Sequence, residues 1–278
     1  MPSFKRWCFL LLAGLGALPA AAAPYNRLYV FGDSYSDIGA GYLDGNGPTA
    51  VAYLAWKMGL EFTVPQAAKS GEKSIDFAVS GARTGEGAGR HVKEALLGYG
   101  MINQVRDFAA RVHSGDIRFD PETTLFFIAG GLNDRPIPTE TTIGNLRQEI
   151  ETLKGLGGRH FTVALLPTKI PSFAAVGLRL DPAIERFVQD ARGQLGIDLW
   201  LNHWGADFDE VMDHPDAYGI VNTKSRCAGR EIYDQDPTPQ GDPATYFFFH
   251  EGHPSTAVHR IVGQKLFAEI TAERPSSP

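Results

Sequence analysis

The sequence predicts an α/β fold built on a parallel sheet that helices cover on both faces. Short runs that are apolar throughout recur along the chain, as strands buried on both faces do. Between them lie segments whose apolar residues return at helical spacing, and the alternation of the two is the order a parallel sheet requires.

The elements follow in turn. Leu28 to Phe31 is apolar and stops at Gly32-Asp33-Ser34, a strand running into a tight turn. Thr49 to Leu60 is a helix with an aromatic and aliphatic face. A second strand, Ile75 to Val79, ends at Ser80-Gly81. Ile102, Val105, Phe108, Ala109 and Val112 set the next helix. Thr124 to Ala129 is a strand ending at Gly130-Gly131. Ile143, Leu146, Ile150 and Leu153 mark a helix closed by Gly155 and Gly157, and Phe161 to Leu166 is a strand stopped by Pro167. Ile184, Phe187, Val188, Ala191 and Leu195 line a helix from Pro182 to about Leu195, with the proline near its first turn. Ile197 to Leu201 is the fifth strand. In the last helix, Thr256 to Thr271, Val258, Ile261, Val262, Leu266 and Ile270 face inward.

Composition narrows the setting. The N-terminus carries Lys5 and Arg6, an apolar stretch from Trp7 to Leu18 and a run of alanines, the pattern of a secretory signal. It is short for a membrane span. The expected cut falls after Ala22, leaving one domain over residues 23–278, exported to the periplasm or secreted, and monomeric. Of the 26 basic side chains that cut removes two, against 32 acidic ones, so the mature chain is more acidic than the formal −6 of the whole. That balance argues against nucleic acid and against a polybasic membrane surface as partners. One of the two cysteines, Cys8, falls in the signal, so Cys227 has no disulfide partner.

In folds of this class sites gather at the carboxyl ends of the strands. Three ends stand out: Ser34 in FGDS, Gly81 in VSGA and Asn133 in GGLND. A serine at a strand-to-helix turn presents its hydroxyl at the mouth of the sheet, and turn N–H groups face the same space. Glycine permits close approach, and asparagine adds a donor. Attack on an ester needs such donors where negative charge develops, and a base for the serine proton. Near the C-terminus, FFFHEGHPSTAVH holds His250, His253 and His259. The HExxH metal spacing is absent, because HExH places Pro254 where the second ligand would fall. A looser metal site and a single catalytic base both stay open on these residues alone.

Over nearly its whole mature length the chain resembles the GDSL or SGNH hydrolases. FGDSYSDIG is similar to their first block, IDFAVSGART to the second, GLND to the third and HPSTAVH to the fifth; NGPTAVAYLA and HPDAYGIVNTKSRC resemble segments of the lipase and acylhydrolase branch. The resemblance implies a three-layer α/β/α sandwich with a mainly parallel, flavodoxin-like central sheet. It also implies hydrolysis of carboxylic esters, of lipid, glycan or small-molecule type, with neither cofactor nor metal. Carried over residue by residue, Ser34 is the nucleophile, His253 the base, and Gly81 and Asn133 oxyanion donors. One position departs: where the family's fifth block has Asp-x-x-His, this chain has His250. Asp33 and Asp37 read as residues that hold the first turn, and Asp134 is not placed to serve the base. His250, accepting the N–H of His253, and Glu251, one residue out of register, are the candidates for the third member of the triad. An acyltransferase using the same site and a non-catalytic lipid or glycan binder are the alternative readings.

Overall fold

A computed structural model describes residues 25–72 and 74–272. The export signal expected over residues 1–22, with its cut after Ala22, lies outside them. In chain order the elements are β1 (Arg27–Gly32), α1 (Ala50–Lys57), β2 (Ser74–Asp76), β3 (Ala88–Val92), β4 (Ala95–Tyr99), α2 (Met101–Ser114), β5 (Thr124–Ala129), α3 (Thr139–Gly155), β6 (His160–Ala164), α4 (Ala174–Leu195), β7 (Asp198–Asn202), α5 (Trp204–Asp213), β8 (Asn222–Arg226), β9 (Tyr246–His250), β10 (His253–Pro254) and α6 (Thr256–Ala272).

The central sheet has the order β2-β1-β5-β6-β7, and its neighbours pair in parallel. Counting only these five strands along the chain, the order is 2-1-3-4-5, the flavodoxin-like arrangement. Its strands are apolar throughout because both faces are covered: α1, α5 and α6 pack together as one layer, and α2, α3 and α4 as another. Every residue of β5 is buried. On α6, Val258, Val262, Leu266 and Ile270 are buried, each contributing roughly 1.5–3 kcal/mol of burial. The order in which strands are added reverses between the parallel neighbours β1 and β5, so the crevice at that switch point opens beside their carboxyl ends. The turns after those strands hold Ser34 and Asn133.

Several segments differ from the reading of the sequence, and the strands expected to reach Val79 and Leu166 end at Asp76 and Ala164. The fourth helix begins at Ala174, eight residues before Pro182, which sits inside it. The bond that Pro182 cannot donate would go to the carbonyl of Leu178, a residue 65% exposed. Helix α5 was not expected: it is only ten residues long, with Trp204, Phe208 and Val211 as its buried apolar positions, too short for periodicity to stand out. The hairpin β3–β4 and the three-stranded sheet β10-β9-β8 were also unexpected. The hairpin residues are mostly half-buried or exposed and carry no one-sided pattern.

One side chain is placed against its chemistry. Glu149 of α3 is 1% exposed, and neither of its carboxylate oxygens has a hydrogen-bond partner among the described residues. Burial, and then the nearby Asp134, push its carboxyl well above the usual range. Glu149→Leu is therefore expected to stabilise the protein by about 1–3 kcal/mol, the desolvation cost of such a group. A folded-state pKa above the unfolded one means that wild-type stability is lost as pH rises past the unfolded value. The gain from Glu149→Leu should then be larger near neutral pH than near pH 4, which thermal unfolding at the two pH values measures.

Candidate active site

Ser34 lies in the turn that follows β1. The end of that strand is fixed by Gln104, whose side chain accepts from Gly32 N at 3.0 Å and donates to Gly32 O at 2.9 Å. A Cβ on Gly32 would stand 2.6 Å from the Ala129 carbonyl, so only glycine lets β1 end this close to β5. Two buried aspartates hold the turn. Asp33 accepts Tyr35 N at 3.2 Å, and Asp37 accepts the N–H groups of Gly39, Tyr42 and Ser80 at 2.7, 3.0 and 2.7 Å. Burial raises Asp33 to about 7 and Asp37 to about 6, although these hydrogen bonds pull the other way.

His253 enters from the far end of the chain. Its Nε2 is 2.8 Å from Ser34 Oγ. The loop that carries it is set by Tyr35, whose hydroxyl donates to the Gly252 carbonyl at 2.8 Å while its ring packs edge-on against Phe173, Trp204 and Phe208. A residue adjacent to Ser34 thus positions the partner of Ser34 across 217 residues of sequence.

Gly81 turns with φ +78°, a conformation that favours glycine, and lines the same cavity as Ser34. Among the described residues the backbone N–H groups of Ser34 and Gly81 have no protein acceptor. The Asn133 amide donates one proton to the Ala82 carbonyl at 2.9 Å, which orients the other. Ser34, Gly81, Asn133 and His253 line one cavity of about 640 Å3.

His250 does not serve His253. Its side chain is buried, and Nδ1 faces the Ala228 carbonyl at 3.2 Å. His250 and His253 are register partners in β9 and β10, but the His250 ring turns to Ala228, two residues past β8, and His250 is not among the residues lining the cavity. The Glu251 carboxylate is no nearer, being 83% exposed and 3.7 Å from Arg226. It is the backbone carbonyl of Glu251 that meets His253 Nδ1, at 3.0 Å. His259 is separate again, accepting Ala50 N at the start of α1 at 3.2 Å. Asp134, for its part, accepts from Thr84 and Thr142.

Two charged residues at the base were not legible beforehand. Asp44, buried, places Oδ2 3.6 Å from His253 Nε2 and Oδ1 3.2 Å from Arg230 Nε. Arg230 Nη2 reaches His253 Nδ1 at 2.5 Å and the Glu251 carbonyl at 3.1 Å. One imidazole tautomer cannot satisfy both neighbours of Nδ1. If Nδ1 accepts from Arg230, Nε2 carries the proton and cannot take one from Ser34. If Nδ1 donates to the Glu251 carbonyl, the lone pair of Nε2 faces the serine hydroxyl. Burial, and then the Arg230 charge, hold His253 down at about 3. For Asp44 burial wins over Arg230 and raises the carboxyl.

In the second tautomer the arrangement can do acyl transfer chemistry: a hydroxyl with a base at 2.8 Å, and three residues with donors on the wall of the same cavity, Ser34, Gly81 and Asn133.

A family model described as GDSL-like Lipase/Acylhydrolase matches residues 28–266. Esterase EstA of Pseudomonas aeruginosa is 26% identical, over 96% of this chain and 50% of its own, so the chain spans about half the length of that relative. A GDSL esterase/lipase of Arabidopsis thaliana is 22% identical over 93% of this chain and 95% of its own. The solved structure of a Clostridium thermocellum family 3 carbohydrate esterase is 14% identical, with a TM-score of 0.49 over 89% of this chain and 98% of that one. With its family match running from β1 into α6, the chain belongs to the GDSL-like lipase/acylhydrolase family.

Proposed function

We propose that this protein is an exported hydrolase of carboxylic esters that works through Ser34 and His253 without a cofactor. The observation that carries the reading is the 2.8 Å approach of His253 Nε2 to Ser34 Oγ. Ser34 Oγ bonds to the acyl carbon as its proton passes to Nε2. The N–H groups of Ser34 and Gly81 and the Asn133 amide hold the oxygen that becomes negative. When the carbon–oxygen bond to the alcohol breaks, His253 returns the proton to the leaving oxygen. Water then repeats the sequence on the acyl-serine and frees the acid.

The work of the family's aspartate is divided here. In the productive tautomer the Glu251 carbonyl accepts the Nδ1 proton, while Asp44 is the acidic side chain nearest the ring, 3.6 Å from Nε2. Arg230 opposes both, as a cation at Nδ1. Arg230→Gln is therefore expected to raise the pKa of the base. With a neutral ester, kcat/KM of the wild type should stay flat as pH falls from neutrality to about 5, while that of Arg230→Gln should decline at higher pH than in wild type, since this profile reports the free enzyme's base. Coincident profiles would show that Arg230 does not act on His253.

A panel of esters across acyl chain lengths and acetylated glycans, run with wild type and Ser34→Ala, tests the function. Turnover by wild type that is lost in Ser34→Ala supports it. Transfer to an added alcohol in preference to water would make the protein an acyltransferase, and tight binding without turnover a non-catalytic binder.

A further inference from the structure

The same cavity holds more positive charge than the chemistry above uses. Three arginines from separate segments line it: Arg90 on β3, Arg135 two residues after Asn133, and Arg230 between β8 and β9. Two carboxylate residues, Asp44 and Glu251, are the acidic members of the lining. Asp44 is engaged by Arg230 at 3.2 Å, and the Glu251 carboxylate points to Arg226 outside the lining. Among the described residues no carboxylate pairs with Arg90 or Arg135. Arg135 lies over the Phe173 ring at 5.2 Å, which steadies the guanidinium and leaves its edge for a ligand. This surplus stands out in a chain whose formal charge is −6.

The hairpin that carries Arg90 is tied across the cavity mouth. Lys93 Nζ donates to the Glu231 carbonyl and to Asp234 Oδ1, both at 2.7 Å. Lys93 and Asp234 are also the non-glycine residues that take positive φ, 52° and 56°, among those described. Arg90 and Arg230 therefore sit on two segments that are fastened to each other.

From the charge and placement of these side chains we infer that the preferred ester carries an anionic group, a phosphate or a carboxylate, bound by Arg90, Arg135 and Arg230 beside Ser34. The inference rests on the hydrolase reading and adds the substrate class to it. Guanidinium forks match both anions in pairs of hydrogen bonds, and a cationic cleft in an acidic protein concentrates such substrates. An anion at Arg230 also draws that cation off His253 Nδ1, leaving Nδ1 to the Glu251 carbonyl. Binding of the right ester would then select the tautomer that the reaction needs.

The test compares acetate esters of one phenol bearing a para carboxamide, carboxylate or phosphate. Wild type is expected to favour an anionic ester over the carboxamide by about tenfold or more in kcat/KM, the worth of a charge-assisted hydrogen bond, and to lose that preference at high salt. The carboxylate and phosphate arms tell the two anions apart. In the Arg90→Gln/Arg135→Gln double variant the preference should collapse, whereas in Arg159→Gln, a surface arginine paired with Glu122, it should stay. Equal rates on the neutral and anionic esters by wild type, or a preference kept by the double variant, overturn the anion site and leave the hydrolase reading standing. If none of the three is cleaved, calorimetry of phenyl phosphate with Ser34→Ala decides: binding that the added double substitution weakens upholds the site, and no binding, or binding unchanged by it, overturns it.

Discussion

Ser34→Ala lowers kcat by about 10⁶, the scale on which loss of the nucleophile acts in subtilisin, and leaves the fold intact. The folding half of this expectation comes from the contacts. Ser34 Oγ has His253 as its hydrogen-bond partner, and the turn is held instead by Asp33, Asp37 and Gln104. Removing one hydroxyl from the mouth of a cavity opens no void in the core. The rate that remains should still exceed that in water, because the donors at Ser34 N, Gly81 N and Asn133 are untouched. Kinetics on the best ester of the panel, beside a thermal unfolding curve, measure both halves. Ser36, two residues on, is the control: it is buried, and Ser36→Ala should retain most of the activity.

His253→Ala is expected to cost a similar factor, and the double variant no more than either single one. Nucleophile and base act as a unit, so once one is gone the other has nothing to do. His250→Ala should cost less than about tenfold, because the carbonyl of Glu251 orients His253 and survives the substitution. A loss in His250→Ala as large as that in His253→Ala would return His250 to the third position of the triad. Losses that add in the double variant would separate Ser34 and His253 into independent roles.

The strand ends were legible because each is a local signal. An apolar run meeting Gly-Asp-Ser, Ser-Gly or Gly-Gly-Leu-Asn specifies both a buried strand and the turn that stops it. β5 is the clearest case, running from Thr124 to Ala129 as its apolar run does. Where the reading failed, the determinant was distant. Asp44 and Arg230 lie 186 residues apart in loops without periodicity, and only the tertiary fold brings them to 3.2 Å. The one local hint at Asp44 is a charged residue in a Gly/Asn-rich turn, LDGNG, and solvated loops share it. His250 misled for a related reason. The family resemblance placed it where an aspartate was expected, but the side chain at that position meets the Ala228 carbonyl, just past β8, which holds an imidazole N–H. Pro182 gave a helix start when it marks a helix interior, since a proline's missing donor is tolerated wherever the orphaned carbonyl can reach water.

The central claim is that Ser34 is the residue acylated during turnover. A fluorophosphonate probe followed by peptide mass spectrometry tests it most directly, because the phosphonylated serine stays bound and its position is read from the fragment ions. The account predicts one labelled peptide containing the turn after β1, the adduct on Ser34, and no labelling in Ser34→Ala or His253→Ala. An adduct on Ser36 or on Ser172, which lines the same cavity, or labelling that persists in Ser34→Ala, would contradict it.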